Sequence, residues 1–344
     1  MIRRIFYIIL WSVLIFVSGA LYFGAVNETF FNQLESSGLV QDVYTYGDLY
    51  GHTALRSFKE VMAKDSIVEK FKPTMYCKNQ ALYLIGDSYT MPGRMDAENF
   101  AVDFYQYGFD ARNSYPDTTK QCILIIEKTE RYFREWVRSE LKKDTRKKSA
   151  YIHSIENFFT HNPNKDIFNT TKINERIEYL SCNNSIALFL KEMKASMLYY
   201  LFGYSGDEVY VSERHHMVYL RETVDSTSIR SPYHMLQNEE ADRLILFLNH
   251  EYLRYKSLGF SEVYFSLIPE KARVYQPFSN IKTNRLFDIL KSPNLNMPVI
   301  DILPELTNPG EKVFHTADTH WNTTGINCWL RKVNEILIRE CNKR

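Results

Sequence analysis

Two short stretches of the sequence carry the residue types of a serine nucleophile and its base. Ser88 lies in LIGDSYT, where an apolar run stops at Gly86 and Asp87, and Asp318 stands two residues before His320 in FHTADTHWNTTG. A serine hydroxyl needs a base to react at neutral pH, and the base needs an acid that orients it. Alternate residues of an extended segment lie on one side, so Asp318 can hold the imidazole of His320 towards a nucleophile.

The surrounding sequence predicts an α/β fold that can bring these stretches together. Short apolar runs rich in β-branched or aromatic residues predict strands at residues 81–85, 122–126, 263–268 and 298–302. Amphipathic patterns predict helices at 238–258 and 327–337. Apolar strands that alternate with such helices indicate a doubly wound parallel sheet flanked by helices. Both stretches would then lie at the carboxyl edge of that sheet, where sites form.

The chain divides into an anchor, an extension and one catalytic domain. Residues 76–344 hold all the predicted strands and form the expected catalytic domain. The sequence predicts several helices within residues 129–202. It also predicts a hairpin, with strands at 208–211 and 217–220. We therefore interpret about 129–224 as an insertion. Residues 27–75 are expected to be a linker and N-terminal extension.

The first 26 residues are typical of a transmembrane anchor. Arg3 and Arg4 precede an uncharged apolar run at residues 5–26. That run is longer than the roughly 7–15 residues of a signal-peptide core, and it fits a membrane-spanning helix of about 20 residues. The arginines predict a cytoplasmic N-terminus, a single pass through the inner membrane and a periplasmic domain. A cleaved signal peptide is the alternative, and it also places the domain outside the cytoplasm.

Composition narrows the classes of partner and cofactor. The 42 Lys and Arg residues balance 41 Asp and Glu residues, which argues against nucleic acid as a partner. The spacing of the cysteines does not match a metal-binding motif. Their number is odd, so they cannot all pair within the chain; one disulfide is possible, and the sequence does not identify the pair. They are Cys77, Cys122, Cys182, Cys328 and Cys341. We expect neither a metal nor another cofactor.

Several segments together resemble a known superfamily. GDSYT resembles the serine block of SGNH (GDSL-type) hydrolases, and DTHWNTTG resembles the Asp-x-His-Trp signature of their AlgX/AlgJ-like branch, the alginate O-acetyltransferases. Residues 123–133 and 267–275 are loosely similar to further segments of that branch, so roughly a third of the chain is covered. In the alginate enzymes the Asp-x-His block comes first. Here the serine block comes first, as in ordinary SGNH enzymes.

The resemblance implies roles for individual residues. Ser88 would be the nucleophile, His320 the base and Asp318 its orienting acid, with the Ser88 backbone N–H as the first oxyanion donor. No clear glycine and asparagine blocks supply the remaining donors. Further oxyanion or substrate candidates are Gly86, Asp87, Tyr89, Arg131, Lys271, Trp321 and Asn322.

Some of these candidates also have structural explanations. Asp87 is expected to shape the turn or cap the helix, and Arg131 is more often a structural ion-pair partner than a substrate contact. Trp321 would form an apolar wall that limits water. Asn322, or one of the two threonines that follow it, could cap the last helix.

The function expected from the resemblance is a membrane-anchored, extracytoplasmic O-acetyltransferase. An acetyl group would pass to Ser88 and then to a hydroxyl of a polysaccharide. The family implies a multi-spanning membrane acyltransferase as the donor partner. Two alternatives remain open: an esterase of the same fold that deacetylates a glycan, and a non-catalytic glycan-binding or assembly protein.

Overall fold

The apolar runs of the sequence form a parallel sheet in the computed structural model, which describes residues 2–37, 40, 45–62, 69–110, 115–147, 170–278, 280–307 and 310–343. The strands are β1 (Cys77–Ile85), β2 (Val102–Tyr107), β3 (Gln121–Thr129), β4 (Val209–Ser212), β5 (Met217–Leu220), β6 (Glu262–Ile268) and β7 (Val299–Ile300). Five of them pair in parallel in the order β2-β1-β3-β6-β7. The predicted α/β class, with a parallel sheet between helices, is therefore confirmed.

Each strand of the predicted sheet is present, and one further strand was missed. The four predicted runs lie in or around β1, β3, β6 and β7. The missed strand is β2, which lies at the edge of the sheet. Most of its side chains are exposed or half-buried. An edge strand of this kind lacks the continuous apolar run that marked the others.

Helices cover both faces of the sheet. The described helices are α1 (Ile2–Val26), α2 (Glu28–Ser36), α3 (Tyr50–Thr53), α4 (Glu130–Lys147), α5 (Thr170–Cys182), α6 (Ser185–Phe202), α7 (Asn238–Ser257), α8 (Lys271–Tyr275), α9 (Leu286–Ile289), α10 (Leu303–Thr307) and α11 (Thr323–Cys341). Leu124 of β3 packs in one core with residues of α4 and α7, whereas Ile123 and Ile125 pack in the other with residues of α11. This alternation is the period of two expected of a strand buried on both faces.

The long connection between β3 and β6 contains the predicted helices and hairpin. Strands β4 and β5 pair antiparallel, as the sequence predicted. Helices α4, α5 and α6 occupy the described parts of residues 129–202, and residues 148–169 lie outside the described residues. Leu188, Ala195 and Tyr199 of α6 pack on a cluster that includes Val209 and Val218 of the hairpin.

The N-terminal extension belongs in part to this packed layer. Leu49, Leu55 and Phe58 are buried in the same cluster as Ala317, which precedes the Asp-x-His pair. Residues 38–39, 41–44 and 63–68 of the expected linker lie outside the described residues. The described residues 45–62 are thus a covering layer on the Asp-x-His loop.

Helix α1 is long and apolar enough to cross a membrane, by length and composition. The span runs from Arg3 to Val26, and its side chains are mostly exposed. Gly24 and Ala25, at its end, are buried against neighbouring helices. No disulfide joins the five cysteines, all of which lie in described parts of the chain.

Candidate active site

Ser88 lies in the turn that follows β1, at the carboxyl edge of the sheet. Its side chain is exposed, while Tyr89 and Thr90, which follow it, are buried. Gly86 permits this tight turn because a Cβ there would lie 2.0 Å from Oγ1 of Thr90 and 3.0 Å from Oε2 of Glu127. Gly86 therefore lets the backbone approach β3 closely.

Asp87 holds the turn in shape through both carboxylate oxygens. Oδ1 accepts a hydrogen bond of 3.0 Å from the backbone N–H of Tyr89, and Oδ2 accepts one of 3.2 Å from that of Thr129. The Asp87 N–H donates to Oε2 of Glu127 at 2.9 Å. Asp87 thus shapes the turn, which is the structural explanation that the sequence had favoured.

The structure brings Ser88, His320 and Asp318 into one hydrogen-bonded row. Nε2 of His320 lies 2.8 Å from Oγ of Ser88, although the two residues are 232 positions apart. Nδ1 of His320 lies 2.6 Å from Oδ1 of Asp318, which also accepts the backbone N–H of His320 at 2.8 Å. With Asp318 ionised, Nδ1 carries the proton, so Nε2 is left to accept the serine hydroxyl proton.

Asp318 is a buried carboxyl that its contacts with His320 keep ionised. Its side chain is 7% exposed. Burial by itself would raise the pKa of this carboxyl, but hydrogen bonds and charge from His320 outweigh burial and hold the pKa well below its usual value. An anionic Asp318 fixes the tautomer of His320 and would stabilise an imidazolium.

Asp48 is a fourth member of this arrangement, and sequence reasoning missed it. Its backbone N–H donates to Oδ2 of Asp318 at 2.8 Å, and its Oδ1 accepts the N–H of Thr319 at 2.7 Å. Its Oδ2 lies 3.9 Å from Nδ1 of His320. The preceding Gly47 has a φ of +99°, and a Cβ there would lie 2.3 Å from the carbonyl oxygen of Ala317. A Gly-Asp pair in an extension was the only sequence signal.

Lys271 is buried against the backbone of the Asp-x-His loop. Its Nζ donates to the carbonyl oxygens of Val218 (2.8 Å), His315 (2.6 Å), Thr316 (2.9 Å) and Asp318 (3.1 Å). Burial lowers the pKa of this ammonium to about 7, although nearby carboxylates oppose the shift. The substrate role considered for Lys271 is corrected: its donors are taken by backbone, and it supports the loop from inside.

Tyr89 and Trp321 form the buried wall behind the histidine. Trp321 is fully buried and donates from Nε1 to the carbonyl oxygen of Tyr89 at 3.2 Å. The Tyr89 ring lies 4.8 Å from that of His320, and its hydroxyl donates to the carbonyl oxygen of Thr319. Trp321 was among the oxyanion or substrate candidates, and its complete burial corrects that role, because no part of its side chain reaches solvent.

Arg131 and Asn322 also have structural partners. Nε of Arg131 lies 3.5 Å from Oε1 of Glu270, and both side chains are buried. Burial raises the pKa of Glu270 to about 7, against the lowering effect of the Arg131 charge. Asn322 caps α11, as predicted, since its Oδ1 accepts the N–H of Gly325 at 3.1 Å.

The carboxylates of Asp48 and Asp318 and the imidazole of His320 also have the composition of a metal-binding group. Within the described residues their ligand atoms lie within 4.8 Å of one another. However, Asp318 bonds His320, and Asp48 bonds Thr319. The closeness of these three side chains is therefore explained by a hydrogen-bonded network around His320.

Comparisons with protein-family models, curated proteins and solved structures found no match for this chain. The likeness to SGNH enzymes therefore stays a prediction from sequence motifs. The geometry of Ser88, His320 and Asp318 is independent of that likeness, and the arrangement has the three parts that serine acyl transfer requires.

Proposed function

We propose that this protein is a membrane-anchored serine acyltransferase of the SGNH type, which moves an acetyl group onto hydroxyls of a polysaccharide. The observation that carries the proposal is the row from Oγ of Ser88 through His320 to Asp318, with spacings of 2.8 and 2.6 Å. An exposed serine beside a base that is itself oriented by a buried carboxylate is the arrangement of an activated nucleophile.

In the first half-reaction, Oγ of Ser88 would attack the acetyl carbonyl carbon of the donor. The hydroxyl proton moves to Nε2 of His320, and Asp318 stabilises the imidazolium. As the carbonyl re-forms, the bond to the donor oxygen or sulfur breaks, and that atom takes the proton from Nε2. The acetyl group is then an ester on Ser88.

In the second half-reaction, a sugar hydroxyl would replace the departed donor. Nε2 of His320 takes the hydroxyl proton while the sugar oxygen attacks the ester carbon. The bond to Ser88 breaks, its Oγ recovers a proton from Nε2, and the acetylated sugar leaves. Water in place of the sugar would give hydrolysis, so an esterase is the second candidate, and the exposure of Ser88 favours it because water can reach the ester.

The apolar helix α1 supports the proposed location. Arg3 and Arg4 stand at the start of the span and favour a cytoplasmic N-terminus, so the domain would lie in the periplasm as a single-pass protein of the inner membrane. Acetyl-CoA is cytoplasmic, so a multi-spanning acyltransferase in the same membrane would supply the acetyl group.

The test offers the full-length protein an activated acetyl ester with and without an oligosaccharide acceptor. A transferase should move the acetyl label onto the sugar in a Ser88-dependent way, and Ser88→Ala should abolish the transfer. An esterase would instead release acetate at a rate that does not change when the oligosaccharide is added, and it would deacetylate an acetylated glycan. Without Ser88-dependent turnover, even with membranes that contain the donor acyltransferase, the enzyme proposal fails and a glycan-binding role is favoured.

A further inference from the structure

Helix α6 exposes an apolar stripe along its outer side. We define the outer stripe as Ile186, Leu190, Met193, Met197 and Leu201, all exposed, with Ile186 and Leu201 at 75% and 66%. Their spacing of three or four residues places them in one line along the helix. Scattered apolar residues on a surface are ordinary, but a continuous stripe of this length indicates a binding surface.

The opposite side of α6 is already used for packing. Leu188, Ala195 and Tyr199 contact the hydrophobic cluster formed by the hairpin and residues 45–58. Glu192, on the same side, is buried and bonds Nζ of Lys59 at 2.7 Å. Residues two apart differ by about 200° around a helix, so the outer stripe points away from the domain. Among the described residues, the packing of α6 therefore leaves this stripe uncovered.

Helix α5 connects the end of the apolar span of α1 with the start of α6. Helix α5 ends three residues before α6 begins. A Cβ on Gly24 of α1 would lie 3.0 Å from Cδ1 of Leu180 in α5. Nη1 of Arg176 in α5 donates to the carbonyl oxygen of Ala25 at 3.3 Å. Through α5, the start of α6 is therefore linked to the end of α1, where the chain would leave the membrane.

We propose that α6 lies on the surface of the membrane that α1 spans, with its outer stripe among the lipid acyl chains. Lys191 and Lys194 are exposed to one side of the stripe, where they can meet anionic headgroups. Because the inner side of α6 is also apolar, the proposal rests on the exposed stripe and the lysines beside it, and not on an amphipathic pattern over the whole helix. This inference rests on the proposed anchoring by α1.

A membrane-bound α6 would fix the height of the active site above the lipid. The inner side of α6 packs in the same cluster as Ala317, next to Asp318. The contact would therefore hold the Asp-x-His loop near the bilayer instead of leaving the domain on a free tether. Such an orientation brings Ser88 to a donor that emerges from the membrane.

The experiment places a photoreactive benzophenone amino acid at single positions of the full-length protein. The protein is reconstituted in vesicles of phosphatidylethanolamine and tagged phosphatidylglycerol, then illuminated. Probes at Met193 and Met197 test the outer stripe, and Phe16 of α1, which is 77% exposed, is the positive control. Met235 is the matched negative control, because it is an exposed methionine, at 71%, in a loop before α7.

We expect lipid adducts at 193, 197 and 16 and none at 235. Leu190→Asp should remove the adduct at 197 and leave that at 16, because a carboxylate in the stripe opposes insertion. An unchanged melting temperature and Ser88-dependent turnover of a soluble ester would show that this variant is folded.

The remaining outcomes separate the inference from its premise. Adducts at 16 alone would overturn the membrane contact of α6 and leave the anchoring intact. No adduct at 16 would refute the anchoring itself, and the inference with it. The same probe at 197 can also be illuminated in native membranes. Cross-links to a protein instead of lipid would show that the outer stripe binds a membrane protein, and they would overturn the lipid proposal.

Discussion

The backbone N–H of Asp48 donates a 2.8 Å hydrogen bond to Oδ2 of Asp318, the oxygen that does not contact the ring of His320. These residues are 270 positions apart. The bond ties the N-terminal extension to the acid of the candidate triad. The extension therefore takes part in orienting His320, in addition to connecting the domain to α1.

The first prediction concerns the Asp48 side chain. Asp48→Ala removes the acceptor for the Thr319 N–H and frees the loop around His320, so we expect kcat to fall about 10–100-fold with little change in KM. Asp48→Asn keeps an acceptor oxygen and should recover most of the rate. Steady-state kinetics with a soluble acetyl ester will measure both. A raised KM with unchanged kcat would instead indicate that Asp48 contacts substrate.

The second prediction concerns the coupling of Ser88 and His320. Because the two act in one step, Ser88→Ala and His320→Ala should each lower kcat by several orders of magnitude, and the double variant should cost no more than either alone. His250→Ala is the control, since His250 is an exposed histidine on α7 whose loss should leave turnover unchanged. Additive losses in the double variant would show that the residues do not work as a unit.

The sequence predicted the central sheet and three site residues because their signals are local. Each signal can be identified in a short stretch of sequence. One is an apolar run followed by Gly86-Asp87-Ser88, and the other is an acid two residues before His320. Asp48 could not be identified in this way. Its role depends on a positive φ at Gly47 and on a contact with a loop far along the chain.

Burial explains why the structure corrects the substrate roles considered for Lys271 and Trp321. The sequence shows that Lys271 is charged and that Trp321 is aromatic, which suggested contacts with a substrate. It does not show that four carbonyl oxygens surround the Lys271 ammonium, or that Trp321 packs wholly inside. Edge strand β2 was missed for a related reason, because its pattern reflects partial exposure.

The third prediction concerns the pH dependence of stability. Glu127 is buried beside Asp87, and burial, followed by the charge of Asp87, raises its pKa. The folded protein then keeps a proton that the unfolded chain loses above a pKa of about 4.3, so stability falls as pH rises through the raised pKa. Glu127→Gln keeps an acceptor for the Asp87 N–H but cannot ionise.

Melting temperatures at pH 5 and pH 9 will test this effect. The wild type should lose at least about 3 °C more than Glu127→Gln between these values. Glu98→Gln is the control, because Glu98 is exposed and its replacement should leave the wild-type difference unchanged. Equal losses in the wild type and Glu127→Gln would show that Glu127 is ionised in the folded protein throughout this range.

The last prediction concerns Lys271 as the internal support of the Asp-x-His loop. Lys271→Met keeps an unbranched side chain but removes the hydrogen bonds of the ammonium to the carbonyl oxygens of His315 and Asp318. A hydrogen bond to a charged group contributes about 1.5–3 kcal/mol, so we expect a loss of about 2–5 kcal/mol in the free energy of unfolding and a lower kcat. Lys282→Met, at an exposed lysine, should change neither quantity. Denaturant unfolding and steady-state kinetics measure the two effects. Full stability with a raised KM would return Lys271 to the substrate role first considered for it.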